Sequence, residues 1–399
     1  MPGTGDELSI LGFGCMRLKR NLGATDMEKA ERQVRAAVKA GINYFDTAYM
    51  YPGNEKAIGT ILAKPDAEGR PLRESVFIAT KLPSFLVKTT EDLNRYFQAS
   101  LDRLAMQYVD YYLIHNLSSL SSWERLKQLG AAEFLEKAKS DGKIGHIGFS
   151  WHGNLHDFRK VIDDYAWEFC QIQYNYLDEG FQAGTEGLKY AASKGVGVII
   201  MEPLRGGTLA GKIPHDAKLI MDEHRGEDGN TKTPANWGLR WVWNHPEAVC
   251  VLSGMNEVSH VEQNVSAALD TLNGPLTAAD INMVERVRDV FQRAIKLNCT
   301  GCAYCMPCPY GVDIPFCFSA WNGNAMFPGL SSKVMYNFLL RKTASKSCGL
   351  ASVCKRCGAC EKKCPQGLPI MDSLECVAKD MENPLLRGAM KLAGLFMRN

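Results

Sequence analysis

The charge of this 399-residue chain has no bias toward either sign, because 46 basic and 44 acidic residues leave a formal net charge of +2. This balance provides neither a basic surface for a nucleic-acid backbone nor an acidic tail, so no nucleic-acid partner is expected. No uncharged apolar run reaches the roughly 18 residues of a bilayer-spanning helix. The start, MPGTGDELSI, lacks the basic and then apolar segments of a secretory signal, which predicts a cytoplasmic protein without a membrane span.

Cysteine is scarce until late in the chain. Of the 14 cysteines, only Cys15, Cys170 and Cys250 precede residue 299, and the remaining 11 lie from Cys299 onward. This change in composition predicts two domains, residues 1–290 and residues 291–399. Disulfides require an oxidising compartment, so the clustered thiols of the second domain are predicted to be metal ligands.

Residues 9–266 alternate short β-rich runs with amphipathic stretches, a pattern typical of parallel strands joined by helices. The first turn, GFGCMR, lacks the G-x-G-x-x-G of a Rossmann domain, and the number of units predicts a closed (β/α)8 TIM barrel. Strands are predicted at 10–12, 44–45, 76–80, 111–114, 146–149, 170–173, 196–201 and 249–252. Helices are predicted at 26–40, 91–104, 123–140, 155–164, 235–243, 258–268, 277–296 and 333–341.

Four polar residues follow three consecutive predicted strands. Asp46 and Tyr51 come after the second strand, Lys81 ends the third and His115 ends the fourth. Because the carboxyl ends of barrel strands meet on one face, these side chains are expected to form one site. A carbonyl that accepts hydride needs an acid, and a tyrosine can serve if a neighbouring cation lowers its pKa.

In this interpretation Lys81 is that cation, Asp46 holds its ammonium and His115 orients the carbonyl oxygen. The structural alternative is an Asp–Lys ion pair beside a core histidine. His152 also lies at the barrel mouth after Ser150 and is a candidate substrate contact. With His156 it has the spacing of some zinc pairs, but the glutamate of H-E-x-x-H is missing.

The chain resembles the aldo-keto reductase family over roughly residues 8–290. The matching segments are FDTAYMY with Gly53-Asn54-Glu55, ATK at 79–81, LIH at 113–115, GFS at 148–150, QIQYN, EPLRGG at 202–207 and GMNEVSHVEQN. The resemblance implies a catalytic tetrad of Asp46, Tyr51, Lys81 and His115, and a nicotinamide cofactor across the barrel mouth. The implied cofactor-binding residues are Ser150, Trp151, Gln171, Met201, Leu204, Gly206, Gly207, Ser253, Gly254, His260, Gln263 and Asn264.

Three residues depart from the family pattern. Trp151 stands where the family often has Asn, and Met201 where it often has an aromatic residue that stacks on the nicotinamide. Gly254 and His260 stand near the adenosine end, where members that prefer NADP carry Lys and Arg. The sequence therefore leaves NADPH and NADH both open.

Two cysteine runs carry the second predicted chemistry. The first is C-x2-C-x2-C-x2-C-P at 299–309, and the second is C-x2-C-x2-C-x3-C-P at 354–365, which matches the bacterial ferredoxin run. In that run the fourth cysteine ligates the other cluster. Two [4Fe-4S] clusters are therefore predicted, one held by Cys299, Cys302, Cys305 and Cys364, the other by Cys354, Cys357, Cys360 and Cys308.

Cys317, Cys348 and Cys376 are left over, and Cys348 is the first choice for a substitute ligand. The alternative for the two runs is a pair of four-thiolate zinc sites. The module resembles the ferredoxin-like extension on one branch of the aldo-keto reductases. Hydride carries two electrons while a [4Fe-4S] cube takes one, so the sequence leaves structural, electron-relay and sensing roles open.

The sequence thus predicts an NAD(P)(H)-dependent oxidoreductase that interconverts a carbonyl and an alcohol, with Tyr51 as general acid/base. A non-catalytic redox-sensing subunit and a ferredoxin-coupled oxidoreductase are the alternatives. The expected partners are a small carbonyl or alcohol substrate and a ferredoxin or other redox protein.

Overall fold

The computed structural model describes residues 1–21, 23–226, 229–272, 274–299, 301, 304–342 and 349–382. The predicted ligand Cys302, the leftover Cys348 and the C-terminal residues 383–399 lie outside the described residues. The chain divides into two compact units, Met1–Arg286 and Val287–Asn399. Among the described helices, none combines the length and apolar character that crossing a bilayer requires.

Within the described residues, eight parallel strands of the first unit close into a barrel, as the alternating pattern predicted. β1 pairs with both β4 and β10, and the strands between them pair in chain order. A short antiparallel hairpin of β2 and β3, absent from the prediction, follows β1. The strands are β1 (Leu11–Gly14), β2 (Arg20–Asn21), β3 (Ala24–Thr25), β4 (Tyr44–Asp46), β5 (Phe77–Leu82), β6 (Val109–Leu117), β7 (Ile144–Trp151), β8 (Phe169–Gln173), β9 (Gly197–Met201) and β10 (Ala248–Ser253).

Side chains that alternate along these strands fill the barrel interior. The interior cluster consists of Tyr44, Ala79, Tyr111, Leu113, Phe169, Ile199, Cys250 and Leu252. Because successive strand residues face opposite sides, the residue two positions further along each strand also faces inward. It lies above the interior cluster, toward the carboxyl end of the strand. Asp46, Lys81, His115, Gln171 and Met201 occupy those positions. The fold therefore gathers residues from distant parts of the sequence at the carboxyl ends of the strands.

The helices cover the outside of the barrel and build most of the second unit. They are α1 (Met27–Lys39), α2 (Asn54–Leu62), α3 (Thr90–Leu104), α4 (Leu120–Gln128), α5 (Ala131–Ser140), α6 (Leu155–Asp164), α7 (Gly184–Ser193), α8 (Thr208–Gly211), α9 (His215–Glu223), α10 (Pro234–Trp243), α11 (Val258–Leu272), α12 (Ala278–Arg293), α13 (Ile314–Met326), α14 (Leu330–Lys342) and α15 (Ile370–Met381).

The single helix predicted at 123–140 is wrong, since α4 and α5 form two helices there. Gly130 lies between them with φ +81° and precedes the first residue of α5. A left-handed residue cannot continue a right-handed helix, and glycine adopts this conformation without steric cost. The remaining predicted helices all have counterparts, while α2, α7, α8, α9, α13 and α15 were not predicted.

The second unit has a small core of its own between α13, α14 and α15. Phe318, Leu340, Leu374 and Val377 are buried there, and five of the predicted cluster cysteines pack against its edge. Cys317 is fully buried, and its thiol lies 3.5 Å from the Tyr336 hydroxyl and 3.6 Å from the Gly349 carbonyl oxygen. Cys317 therefore contributes to the core of this unit.

Helix α2 follows Tyr51 directly, and its packing fixes where that tyrosine lies. Gly59 of α2 faces the backbone at the end of α3. A Cβ atom at position 59 would lie 2.1 Å from the Leu104 carbonyl oxygen. The two helices thus approach each other more closely than any residue with a side chain permits.

We expect Gly59→Ala to lower the free energy of unfolding of the barrel by about 1–3 kcal/mol, since the added methyl group must displace backbone. Urea unfolding followed by tryptophan fluorescence measures this loss. Thr60→Ala, at an exposed position of the same helix, is the control and should change stability by less than about 0.5 kcal/mol. Equal effects of the two substitutions would contradict the close packing.

Candidate active site at the carboxyl ends of the barrel strands

A buried ion pair lies at the centre of the barrel mouth. The Lys81 ammonium donates hydrogen bonds to Asp46 Oδ1 at 2.5 Å and to the Thr47 carbonyl oxygen at 2.9 Å. The two side chains are only 1% and 4% exposed. Burial is the largest single effect and acts to lower the pKa of Lys81, but Asp46, Tyr51 and Cys15 together outweigh it and raise that pKa. Lys81 is therefore a permanent buried cation.

Tyr51 and His115 lie next to this cation. Lys81 Nζ is 5.2 Å from the centre of the Tyr51 ring, and the Tyr51 and His115 rings are 6.0 Å apart at 88°. These ring contacts link Lys81, Tyr51 and His115. Asp46 joins the group through its hydrogen bond with Lys81. The structure brings together all four residues that the strand-end pattern selected.

Burial changes how Tyr51 and His115 hold protons. Burial raises the pKa of the Tyr51 hydroxyl, and the opposing charge and hydrogen bond of Lys81 only partly offset that rise. The expectation that Lys81 brings this pKa below its ordinary value is thus wrong for the free protein. Burial, followed by the charges of Lys81 and His152, lowers the pKa of His115 to about 3. At neutral pH, Tyr51 keeps its proton and His115 is an uncharged imidazole.

The position of His115 depends on an irregularity in β6. The register of β6 against β7 shifts between Ile114 and Leu117, and Asn116 adopts φ +62°. The Asn116 N–H then donates to Ser150 Oγ at 2.8 Å, while Ser84 Oγ donates to the His115 carbonyl oxygen at 2.5 Å. Bulges of this kind commonly re-aim side chains beside active sites.

The loop that carries Tyr51 is held by residues whose roles the sequence analysis missed. Asn54 Nδ2 donates to the Cys15 carbonyl oxygen at 2.7 Å. The buried Glu55 accepts from Thr80 Oγ1 at 2.6 Å and from Arg103 at 3.2 Å. Since Thr80 precedes Lys81 on β5, Glu55 ties the start of α2 to the strand that carries the cation.

Ser150 and Gln171, the residues predicted to bind a carboxamide, form a register pair on β7 and β8. Both are buried, and Gln171 Oε1 has no hydrogen-bond partner among the described residues. Ser150 Oγ accepts one bond from Asn116 and keeps its own proton to donate. A group with both a donor and an acceptor, such as the nicotinamide carboxamide, fits these two residues.

Trp151 occupies a different position from the predicted one. Its ring packs 6.2 Å from Phe149 and 5.7 Å from Phe158 of α6, and its indole N–H donates to the Gly153 carbonyl oxygen. Strand alternation turns Trp151 toward the helix layer and leaves Ser150 facing inward. The interpretation of Trp151 as a cofactor contact is therefore wrong. Met201 does face inward and packs against the interior cluster.

The segments after β9 and β10 are joined by Arg17, which sequence reasoning missed. Gly206 and Gly207 have φ +66° and +89°, and a Cβ atom on Gly206 would lie 2.7 Å from Arg17 Nη2. A Cβ atom on Gly254 would lie 2.9 Å from Arg17 Cδ. A guanidinium beside glycine-rich turns suits a pyrophosphate. A cation directly after β1 was the available signal in the sequence.

The other predicted adenosine-end residues fall into two groups. Ser253 and Asn264 are buried, and Asn264 Nδ2 donates to Ser253 Oγ at 2.8 Å, which attaches α11 to β10. His260 and Gln263 are exposed on α11. Leu204 accepts hydrogen bonds from the backbone N–H groups of Gly207 and Leu209, which forms the tight turn before α8.

In the second unit, a small cavity is lined by Cys299, Cys305 and Cys364. The apolar side chains of Ile314, Phe318, Leu368 and Ile370 complete its wall. These three cysteines belong to one of the two predicted ligand sets, whose fourth member Cys302 is outside the described residues. Within the described part of the chain, no three metal-binding side chains have the close spacing of a single-ion site. The three thiols come from both cysteine runs and are the ligand type that a [4Fe-4S] cube takes.

The second predicted ligand set lies partly at the surface. Cys357 is exposed, Cys360 is buried, and Cys354 Sγ accepts a hydrogen bond from the Arg356 backbone N–H at 3.4 Å. Cys308 and Cys354 both pack against the core of the second unit. Of the leftover cysteines, Cys376 is exposed on α15.

Comparison with known families identifies both units. Residues 10–289 match the model of the aldo/keto reductase family. The chain belongs to this family. Residues 298–369 match the model of a 4Fe-4S dicluster domain, so this family member carries a ferredoxin-like domain after its barrel. Both matches agree with the resemblance based on the strand-end residues and the cysteine runs.

The similar proteins match this chain over its barrel unit. L-galactose dehydrogenase of Arabidopsis thaliana is 28% identical over 299 residues, which cover 71% of this chain and 92% of that protein. An aldose reductase of Encephalitozoon cuniculi is 40% identical over 298 residues, covering 68% and 91%. The barrel of an aldo-keto reductase from Klebsiella pneumoniae, solved in complex with NADPH, superposes with a TM-score of 0.56 at 21% identity, covering 70% and 91%. This aldo/keto reductase family member is thus an oxidoreductase by family.

We expect Asp46→Asn to lower the free energy of unfolding of the barrel by about 3–5 kcal/mol, because it leaves the buried Lys81 ammonium without its counter-charge. The double variant Asp46→Asn/Lys81→Met should lose less, since it removes the uncompensated charge. Urea unfolding monitored by tryptophan fluorescence tests the order. Glu28→Gln, which breaks an exposed pair with Arg32, is the control. A double variant less stable than the single one would contradict this account.

Proposed function

We propose that the barrel is an NAD(P)(H)-dependent carbonyl reductase or alcohol dehydrogenase in which Tyr51 is the general acid or base. One observation supports this most directly: a buried Lys81–Asp46 pair lies against the Tyr51 ring, with an uncharged His115 at a right angle to it. A structural ion pair alone would account for Lys81 and Asp46. It would not account for the half-buried Tyr51 hydroxyl or for the buried His115 Nδ1, which has no hydrogen-bond partner among the described residues.

Each tetrad residue has a distinct role in this proposal. Tyr51 keeps its proton at neutral pH because burial raises its pKa, so it can donate to a carbonyl oxygen that becomes an alcohol. Lys81 stabilises the phenolate that this donation leaves, and Asp46 holds the ammonium in place. His115, uncharged, donates one N–H to the same oxygen and orients it.

A nicotinamide, when bound, would supply or accept the hydride. Ser150 and Gln171 would hold its carboxamide, and Gly206, Gly207 and Arg17 its pyrophosphate. His260 and Gln263 remain candidates for the adenosine end. The Klebsiella pneumoniae protein was solved in complex with NADPH, which supports a nicotinamide dinucleotide as the cofactor. Ser253 and Asn264 would act indirectly, since they bond to each other.

We further propose that the second unit holds two [4Fe-4S] clusters with the crossed ligand sets. The cavity lined by Cys299, Cys305 and Cys364 supports the crossing, because Cys364 is distant in sequence from the other two. The exposure of Cys357 favours a second function, one-electron exchange between its cluster and an external redox protein such as a ferredoxin. Domain limits at 1–290 and 291–399 remain part of the same proposal.

We expect Tyr51→Phe to lower kcat/KM for carbonyl reduction about 10²–10⁴-fold while leaving NAD(P)H affinity unchanged, since only the proton donor is lost. The assay follows NAD(P)H oxidation with a panel of aldehydes and ketones. Tyr49→Phe is the matched control, because Tyr49 lies on the same loop and its ring contacts Tyr96 and Arg103 instead of Lys81. Activity of Tyr51→Phe near that of the wild type would contradict the mechanism.

The pH profile adds a second readout. The pKa values of His115 and His152 lie at about 3 and about 4. Neither ring should therefore titrate between about pH 5.5 and 8, because the lower limit of this range is already about 1.5 pH units above the higher pKa. We therefore expect reduction to fall only as the pH rises toward the pKa of Tyr51. An inflection near the ordinary histidine pKa that disappears in His115→Gln would contradict the uncharged imidazole.

For the clusters, we expect about eight iron and eight sulfide per chain in anaerobically purified protein. Cys364→Ala should remove one cluster and leave about four iron, because the cube loses its fourth ligand. The exposed Cys376→Ala is the control and should retain the full content. Unchanged iron in Cys364→Ala, or about two zinc per chain in the wild type, would contradict the assignment.

A further inference from the structure

The two cysteine runs differ in the charge of the residues between their cysteines. The first run, residues 299–309, contains no charged residue. The second run, residues 354–365, contains one acidic and four basic residues, which are Glu361, Lys355, Arg356, Lys362 and Lys363. Because the whole chain has a formal net charge of only +2, this short segment is a local concentration of positive charge.

The acidic groups near this segment make contacts that leave its lysines unpaired. Arg356 pairs with Asp372 at 2.6 Å and with Glu375 at 3.0 Å, and both acidic residues lie on α15. Glu361 Oε1 accepts a hydrogen bond from the Met371 backbone N–H at 2.8 Å, so this carboxylate faces the first turn of α15. These three acidic side chains therefore do not neutralise the lysines of the segment.

The remaining cations form what we call the lysine collar, which consists of Lys355, Lys362 and Lys363. All three are exposed, and within the described part of the chain none of them has an ion-pair partner. Cys357 is exposed as well, whereas the other described cysteines of the two predicted ligand sets are buried or partly buried. Cys357 is therefore the point at which the second ligand set reaches the surface.

The backbone brings the collar close to Cys357. The Lys362 N–H donates to the carbonyl oxygen of Gly358, the residue after Cys357, at 3.3 Å. Lys363 is the next residue of the same short turn. Lys355 precedes Cys357 by two positions. Lysines from both sides of Cys357 in the sequence thus lie near this exposed cysteine.

This arrangement suits electron exchange with another protein. An electron passes only when the carrier comes close to the cluster, and an exposed cysteine ligand permits that approach. Unpaired positive charges around a docking site attract an acidic partner and raise its association rate by about 10- to 1,000-fold at low ionic strength. Basic groups also attract nucleic acids and anionic membranes, but neither of these takes an electron from a cluster.

We propose that the lysine collar is the docking surface for an acidic one-electron carrier protein, which exchanges electrons with the cluster of the second ligand set. The inference rests on the proposed pair of clusters and deepens it, because it gives the charge of the partner and the residues that attract it. In each exchange one electron leaves the donor and enters the acceptor, so the step requires no further reactant.

The test uses flavodoxin, a small acidic carrier of one electron, and cytochrome c, a basic carrier, as its counterpart. Full-length protein with its clusters is purified anaerobically, reduced with dithionite and freed of excess reductant. Stopped-flow absorbance then gives the rate constant for reduction of each carrier at about 50 mM and about 500 mM salt. The rate constant for flavodoxin should fall about 10-fold or more at the higher salt concentration, since screening removes the attraction. The rate constant for cytochrome c should not fall.

The triple variant Lys355→Gln/Lys362→Gln/Lys363→Gln removes the collar. At low salt it should lower the rate constant for flavodoxin about 10-fold and lose most of the salt dependence. Its iron content should equal that of the wild type, because lysines do not ligate the clusters. Isothermal titration calorimetry of the oxidised proteins is a second readout, in which the Kd for flavodoxin should rise about 10-fold.

The control is Lys39→Gln/Lys143→Gln/Lys189→Gln, which removes the same charge from exposed positions of the barrel unit. This variant should keep the wild-type rate constant and Kd, because the collar is intact.

Equal rate constants for the two triple variants, or a rate constant for flavodoxin that does not depend on salt, would overturn the inference and leave the proposed clusters in place. Collar-dependent binding of anionic lipid vesicles without binding of flavodoxin would assign the surface to a membrane and overturn it too. Protein without iron, or with a visible absorbance that dithionite does not change, would overturn the proposed clusters as well.

Discussion

The structure depends on one costly interaction, the buried pair of Lys81 and Asp46 at the carboxyl ends of the barrel strands. Removing two charges from water is expensive, and their mutual attraction offsets that cost only with good geometry and further hydrogen bonds. Here the geometry comes from neighbouring strands and from the Thr47 carbonyl oxygen, which takes another ammonium proton. A hydrophobic pair would be easier to accommodate at this position. A buried cation is therefore better explained by the chemistry it supports.

The surroundings of the pair determine the proton states of the site. Burial keeps Tyr51 protonated, and burial together with the Lys81 charge keeps His115 and His152 uncharged. The mouth of the barrel thus offers one fixed positive charge and several neutral donors. This combination suits a reaction in which negative charge develops on a carbonyl oxygen. The same residues do not form a metal site, since a cation already lies at their centre.

Much of this arrangement could be predicted from sequence, because strand alternation and strand ends are local features. The eight strands and the tetrad positions follow from apolar runs that stop at Asp46, Lys81 and His115. The break at Gly130 was missed because the helical pattern continues across it. Trp151 was misassigned because it directly follows the inward-facing Ser150 and therefore faces outward. The pattern GFSW does not indicate where the strand ends and the loop begins.

Other features depend on contacts between distant segments and leave no local pattern. The raised pKa of Tyr51 results from burial by several elements. Lys81 alone predicts a lowered pKa, so the sequence could not reveal the direction of the net shift. Arg17 approaches Gly206 and Gly254 only because the barrel closes between β1 and β10.

The measurement that tests this account most directly is a crystal structure of the protein with oxidised NADP and an alcohol product or unreactive ketone. The account predicts the ligand oxygen within about 2.6–3.2 Å of both the Tyr51 hydroxyl and a His115 ring nitrogen, with Lys81 still bonded to Asp46. A ligand oxygen bound away from Tyr51, or a Lys81 ammonium that has left Asp46 for the ligand, would contradict it.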